Sequence, residues 1–252
     1  MLTQKRQEEI LKLLEKKGSV TLQELKEYLH TSESTIRRDL NMLGAEGKLQ
    51  KVFGGAVALE AVNAEDEHVT KREEKNLEEK MRIARYAAAQ IEEDDFVYLD
   101  AGTTTGCLLE FISESVRGKH VTFVTNAPAH AQKLARAGIP VILTGGRLKP
   151  STEAIVGTEA CRQLDKFNFT VGFWGTNGVS VKAGFSTPDS DEAIIKQCAM
   201  KNTKKCFVVC DHTKFHKTSP VTFGNLEDAV ILTDEIPEGA FLEMSNIIKV
   251  PE

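Results

Sequence analysis

The chain of 252 residues contains no apolar run of about 18 residues, which leaves no candidate for a membrane-spanning helix. The opening residues, Met1-Leu2-Thr3-Gln4-Lys5-Arg6, enter a charged helical pattern and lack the apolar core of a signal peptide, so the cytoplasm is the expected location. No CxxC pair is present. Cys107, Cys161, Cys198, Cys206 and Cys210 are odd in number and scattered, and the expectation is unpaired, mostly buried thiols. The nearest approach to a metal set is Cys206, Cys210, His212 and His216. Two of these sit on a strand-like stretch and no second Cys pair supports them, so no metal is expected. A positive balance is missing as well: the net charge of −5 argues against a wholly basic nucleic-acid binder. The average hides an asymmetry. Residues 1–57 hold 10 Lys/Arg against 8 Asp/Glu, and the remainder holds 22 against 29. The slightly positive end is the one suited to approach a polyanion.

What is present begins with three short helical patterns. The first covers Thr3–Lys17, with Ile10, Leu13 and Leu14 at helical spacing and Gly18 as its stop. The second begins at Thr21, where Glu24 three residues on completes a capping box, and carries Leu22, Leu25 and Leu29 on one stripe. The third opens behind Ser32 as N-cap. On it Ile36, Leu40 and Leu43 share one face, while Ser34, Arg38 and Asn41 fall opposite, flanked by Thr35 and Arg37. That outer face offers hydroxyls, an amide and two guanidiniums, donors suited to phosphates and base edges. A helix of this kind after a short turn fits the reading helix of a helix-turn-helix at about 20–39. Gly47 to Val57 alternates between glycines and predicts a hairpin wing, with Lys48 and Lys51 along a DNA backbone. The two arginines also fit plain solvated charges on a surface helix.

Residues 60–80 are densely charged with isolated apolar positions, a solvated helix or linker that sets a boundary near 58–75. Beyond it strands alternate with helices. Strands are expected at 96–99, 121–125, 141–144, 169–174, 206–210, 229–233 and 247–250, and helices at 82–91, 106–115, 127–137, 158–164 and 188–201. The last helix is read with Thr187 as cap and Pro188 at its first position. Such alternation predicts a largely parallel sheet, which binds ligands at the carboxyl ends of its strands. Small and polar residues gather there. Asp100, Gly102, Thr103, Thr104 and Thr105 follow the first strand, Thr125 and Asn126 the second, Gly145, Gly146 and Arg147 the third. Gly175, Asn177 and Gly178 follow the fourth, and Asp211 and Lys214 the fifth. Glycine lets backbone N–H groups approach an anion, and a helix N-terminus adds positive potential. Lys214 and Arg147 supply full charge, and Asp100 and Asp211 accept hydroxyls. Each loop also has a plain reading: Gly and Thr are ordinary turn residues, Asn126 and Asn177 can cap, and Asp211 with Lys214 can be a surface ion pair.

The stretch SESTIRRDLNMLGAEGKLQKVFGGA resembles the DeoR-type bacterial transcriptional regulators. The second half is similar to the sensor domain of that family through DAGTTT (100–105), TN (125–126), TGGRL (144–148), GTNGV (175–179), DEAIIK (191–196) and DHTKF (211–215). The resemblance implies a winged helix-turn-helix at 1–57, a linker at 58–75 and an α/β sensor at 76–252 related to ribose-5-phosphate isomerase and glucosamine-6-phosphate deaminase. It adds Glu192 and Lys196 to the expected effector residues. It also implies a repressor of a sugar operon, released or engaged by a phosphorylated sugar, with operator DNA as partner, a homodimer or homotetramer as assembly, and no cofactor. The segment FVYLDAGTTT looks most like regulators of fructose uptake, which puts fructose 1-phosphate first. One departure is visible: Lys51-Val52-Phe53 stands where the family has Arg-x-His, so no wing contact is expected from residue 53. Two other functions stay open at this point. One is a sugar-phosphate isomerase or deaminase using Asp100, Asp211, Glu192 or Lys214 as its base. The other is an adaptor whose head binds protein.

Overall fold

Gly18 ends the first helix, and Thr21 and Ser32 cap the starts of the second and third, as the sequence predicts. The computed structural model describes residues 2–58 and 68–252, which divide into two compact units, Met1–Ala61 with Pro237–Met244, and Val62–Ile236 with Ser245–Glu252. In the first, α1 (Thr3–Lys17) ends at Gly18, whose left-handed backbone lets its N–H reach the Leu14 carbonyl. Strand β1 (Ser19–Thr21) leads into α2 (Leu22–Leu29), capped by the predicted Thr21–Glu24 box. His30, in the left-handed region, turns the chain into α3 (Glu33–Ala45), whose N-cap is Ser32. The wing is β2 (Leu49–Val52) and β3 (Gly55–Ala58). β1, which the sequence pattern does not announce, pairs with β3 as a third strand. Ile10, Leu14, Leu25, Leu29, Ile36, Leu40, Leu43 and Leu49 close a single apolar core. Each such side chain contributes roughly 1.5–3 kcal/mol by leaving water.

One charged pair crosses that core. Arg6 of α1 and Asp39 of α3 are 8% and 1% exposed and bonded through both guanidinium and carboxylate edges. The pair locks the rotation of α3, so that its apolar face looks inward and its polar face outward.

The second unit holds α4 (Val69–Glu74), α5 (Leu77–Ala88), β4 (Phe96–Leu99), α6 (Thr103–Ser115), β5 (Thr122–Thr125), α7 (Pro128–Arg136) and β6 (Val141–Leu143). Then come β7 (Arg147–Lys149), β8 (Ala154–Val156), α8 (Thr158–Leu164), β9 (Phe169–Gly175), β10 (Gly178–Ser180) and β11 (Gly184–Thr187). The chain finishes with α9 (Ser190–Lys201), β12 (Thr203–Val209), β13 (Val221–Gly224), β14 (Val230–Thr233) and β15 (Ile247–Lys249). Seven strands form one parallel sheet in the order β15-β14-β12-β9-β4-β5-β6, and these are the seven that hydrophobic runs predict. Valines, leucines and phenylalanines of its centre are buried against α5 and α6, with Phe173 stacked on Phe207 at 5.5 Å. From β4 the chain moves outward to β6, then returns to β9 on the other side of β4. The order therefore reverses between β4 and β9, and a crevice opens at their carboxyl ends.

Several expectations need correction. The pairs β7–β8 and β10–β11–β13 form two small antiparallel sheets where the sequence pattern predicts loops. Helix α6 starts at Thr103, so the threonines form its first turn rather than a preceding loop. Helix α9 is capped by Asp189, which accepts from the Glu192 N–H at 2.9 Å, and not by Thr187, which is the buried end of β11. Cys161 on α8 and Cys198 on α9 are joined by a disulfide, with Cα atoms 5.7 Å apart, whereas unpaired thiols were expected. A separation of 37 residues carries no local signature, and only the packing of α8 on α9 brings the two together. The set at Cys206, Cys210, His212 and His216 is otherwise engaged in part. The Cys206 thiol meets the Met200 carbonyl, and His212 bonds Asp234 at 2.7 Å. Half of the expected linker at 58–75, residues 59–67, lies outside the described residues. From Val69 on it is helix.

The Arg6–Asp39 pair yields a stability test. Asp39→Ala leaves the Arg6 guanidinium buried without its carboxylate, and the expected loss is about 3–5 kcal/mol in the first unit. Denaturant-dependent hydrogen exchange of α1 and α3 amides reads it, and a loss below about 1 kcal/mol would place this pair with ordinary surface bridges.

Candidate functional site

On α3 the apolar stripe is sealed into the core, and the polar face stands in solvent. Ser32 accepts from the Thr35 N–H at 3.3 Å, and its hydroxyl meets those of Ser34 and Thr35 at 3.0 and 2.9 Å. Arg37 pairs with Glu33 one turn back at 2.7 Å, with both side chains more than half exposed. Such a pair is weak, and a phosphate can displace the carboxylate. Arg38 and Asn41 are exposed, and Lys51 of the wing donates to the Asn41 carbonyl oxygen. Lys48 pairs with Glu46 at 2.8 Å. The structure thus gathers Ser32, Ser34, Thr35, Arg37, Arg38, Asn41, Lys48 and Lys51 on the helix and wing, where the sequence pattern puts them. Phe53, from which no contact was expected, sits on the hairpin turn with its ring fully exposed.

In the second unit a cavity of about 250 Å³ opens where the strand order reverses. Asp100 leaves the end of β4 and crosses to β9: its Oδ2 accepts from the Gly175 N–H at 3.1 Å and from Lys196 Nζ. Lys196, on α9, also donates to the Gly175 carbonyl at 3.0 Å. Burial pushes the Asp100 carboxyl upward while Lys196 pulls it back. Behind Asp100 the chain enters α6, whose first-turn residues Thr103 and Thr104 line the cavity and whose first N–H groups have no intrahelical partners.

Asn126 lies below. Its carbonyl oxygen accepts from the Ala101 N–H at 2.9 Å and its amide donates to the Ile155 carbonyl at 3.1 Å. It holds the loop after β4 in place. Asp211, 1% exposed at the end of β12, accepts through Oδ1 from the Thr213 N–H and from Asn76, both at 3.0 Å. Burial works to raise its pKa, but the Lys214 charge and these hydrogen bonds outweigh it and hold the carboxylate below the usual range. Its Oδ2 is buried with no partner among the described residues. Glu192 accepts from Lys149 at 3.1 Å and from the Thr152 hydroxyl at 2.6 Å.

Of the residues expected from sequence, Asp100, Gly102, Thr103, Thr104, Asn126, Gly175, Asn177, Glu192, Lys196, Asp211 and Lys214 line this cavity. Six do not. Thr105 is fully buried and donates to the Gly102 carbonyl. Thr125 is fully buried, and its hydroxyl accepts from the Ala127 N–H. Gly145, Gly146 and Arg147 follow β6, the edge strand three places from β9, and do not line the cavity. Gly146 is small for packing, since a Cβ there would meet Ile155 Cγ2 and the Val156 carbonyl at 2.8 Å, and Arg147 bonds Asp191 at the surface. Gly178 is small because a Cβ would lie 2.5 Å from the Lys217 carbonyl. Sequence reasoning missed Arg72, Lys75, Asn76 and Lys80 from α4 and α5, and Lys217 and Ser219 from the loop before β13. The buried Lys80 donates to the Arg72 carbonyl. Burial lowers its pKa while Asp211 opposes the shift. The signal in the sequence was a run of basic residues among acids at 71–80, which reads as a solvated surface until the fold shows one side turned inward. The cavity wall carries Arg72, Lys75, Lys80, Lys196, Lys214 and Lys217 against Asp100, Glu192 and Asp211.

Beside it, across Ala101–Thr103, lies a second hollow of about 520 Å³ that includes His130. His130 is buried, with Nδ1 unpartnered among the described residues. Burial and the nearby Lys133 lower its pKa to about 4, against a hydrogen bond to the Gly102 backbone.

Comparison with known proteins follows the same division. Residues 6–62 match the DeoR-like helix-turn-helix domain, and residues 75–235 match the DeoR C-terminal sensor domain. A Bacillus subtilis protein described as an uncharacterized HTH-type transcriptional regulator FruR is 40% identical, covering 99% of each chain. The HTH-type transcriptional regulator GlpR of Haloferax volcanii is 35% identical over 93% of this chain and 91% of its own. The lactose phosphotransferase system repressor of Staphylococcus aureus is 34% identical over 92% and 93%. Among solved structures, ribose 5-phosphate isomerase A of Methanocaldococcus jannaschii aligns with a TM-score of 0.43 at 14% identity, over 56% of this chain and 55% of that one.

A pH dependence follows from His130. Its folded pKa of about 4 lies below the ordinary 6.5, so the unfolded chain takes up the proton first. Stability is therefore unaffected above pH 6.5, falls as pH drops toward 4, and levels off below, a loss of about 3 kcal/mol from this group. Denaturant unfolding across that range reads the slope, and His130→Leu is expected to flatten it. A ring that titrates near 6.5 by NMR would contradict the assignment.

Proposed function

The chain belongs to the DeoR family of helix-turn-helix transcriptional regulators, and on that premise we propose that it represses a sugar-utilisation operon in the cytoplasm under control of a phosphorylated sugar bound in the second unit. The observation that carries the reading is the cavity at the sheet's reversal point, with six cationic side chains against three carboxylates and the first turn of α6 at its wall. Asp100 and Lys196 satisfy each other, so the surplus positive charge belongs to the other cations. A phosphate dianion matches that surplus, and the buried, unpartnered Oδ2 of Asp211 is an acceptor that a sugar hydroxyl could satisfy. Fructose 1-phosphate is the first candidate, supported by the relative described as FruR. The protein works as a homodimer or homotetramer, which presents paired heads to paired half-sites. In this reading it is not an enzyme.

A second reading draws on Asp211 alone. A carboxylate with one unpartnered oxygen at the wall of such a cavity suits a base for aldose–ketose isomerisation. Turnover of sugar phosphates by the purified protein at about 1 per second or more would favour it.

The main test is operator binding measured by fluorescence anisotropy and titrated with sugar phosphates. Fructose 1-phosphate is expected to change affinity at least tenfold, and a panel without effect would remove the sensor role. For the head, Arg37→Ala with Arg38→Ala is expected to weaken binding and to make the slope of log affinity against log salt shallower by about 0.9 for each phosphate that is no longer neutralised. Unchanged DNA binding would instead support an adaptor.

A further inference from the structure

Three residues of the cavity wall come from a part of the chain that the sequence marks as connection. Arg72 and Lys75 lie on and just behind α4, and Asn76 joins α4 to α5. They are among the first described residues of the second unit after the head. Helix α4 is six residues long and none of them is buried, so no apolar core fixes its position. Polar groups do this instead. The Val69 N–H donates to the Ser151 carbonyl at 3.1 Å, Lys80 donates to the Arg72 carbonyl, and the Asn76 amide reaches Asp211 at 3.0 Å. Asn76 itself takes the left-handed backbone conformation, φ 52°. The Arg72 Nε atom is buried and has no partner among the described residues. The same cavity is lined by Thr213, Lys214, Lys217 and Ser219, and the Asn76 amide also reaches the Thr213 hydroxyl at 3.5 Å.

We propose that Arg72, Lys75 and Asn76 are effector-binding residues, and that an anionic effector fixes the 69–76 segment against the 211–219 loop. Binding thereby sets the position of the stretch that leads to the DNA-binding unit. The inference rests on the anion site argued above and adds its regulation. A buried guanidinium nitrogen without a partner is costly, and an oxyanion supplies the missing acceptor. A segment held by a few polar contacts shifts with occupancy, where a segment packed into the core would not. Ligand control of DNA binding needs such a difference between bound and free states.

Hydrogen–deuterium exchange on the full-length protein tests this, with fructose 1-phosphate and, separately, inorganic phosphate as probes. Amides at 69–80 are expected to slow at least tenfold, together with those at 100–104 and 211–214. Protection of the two loops without change at 69–80 would overturn the proposal and leave the anion site standing. No protection anywhere by either probe would overturn both. Arg72→Met is expected to weaken fructose 1-phosphate binding at least tenfold in calorimetry and to remove the slowing at 69–80, while Arg72→Lys recovers part of both. An unchanged dissociation constant in Arg72→Met, with the protein folded by circular dichroism, would also overturn it.

Discussion

The buried ion pair between Asp100 and Lys196 is the constraint on which the ligand-binding half depends. It joins the loop after β4 to α9, and through the Gly175 N–H and carbonyl it fastens both to the end of β9. Those are the two strands between which the sheet order reverses. With side chains 2% and 6% exposed, neither charge is hydrated to any extent, and removal of one partner would strand the other at a cost of about 3–5 kcal/mol. A pair like this adds little net stability compared with apolar residues of the same size. Its consequence is geometric: the Gly102–Thr104 turn and the Gly175–Asn177 turn are held at the same crevice, with the first turn of α6 at its wall. The Lys196 ammonium also lies 5.3 Å from the centre of the Phe223 ring, which ties β13 to the same centre.

Much of this was legible in the sequence, because the signals were local. Seven apolar runs became seven parallel strands, and the capping residues Thr21 and Ser32 lie at the helix starts they predict. The amphipathic phase of α3 told its polar face from its core face, whereas Asp39 on the inner side, paired with Arg6, had no counterpart in the sequence pattern. Most of the loops after strands line the cavity, but their equal weighting was mistaken. Only strand order tells Gly175, beside the reversal, from Gly145, at the far edge, and strand order is not written in any local pattern. The three-residue strands β7, β8 and β10 are too short for periodicity to show, and the Cys161–Cys198 pairing depends on how two helices meet. The basic residues at 72, 75 and 80 were hidden for a related reason. A charged helix reads as solvated when nothing in its own sequence says which side faces a cavity.

The distribution of charge gives these local features a common sense. Beyond residue 57 the chain is acidic, with 29 Asp/Glu against 22 Lys/Arg, so a cation-rich cavity is not what composition alone would produce there. On its wall cations outnumber carboxylates six to three, and the acidic excess lies in the rest of this half of the chain. A long polyanion such as DNA meets the surface first and is repelled over distances up to the Debye length, about 8–10 Å at cellular salt. A small dianion can enter the concave site, where low-dielectric walls strengthen its attraction to the lysines. The same sign of charge can therefore serve two ligands in one chain without competition between them. The helix face of α3 is convex and exposed and suits an extended anion, and the crevice is recessed and suits a compact one. Shape sorts the two where charge cannot.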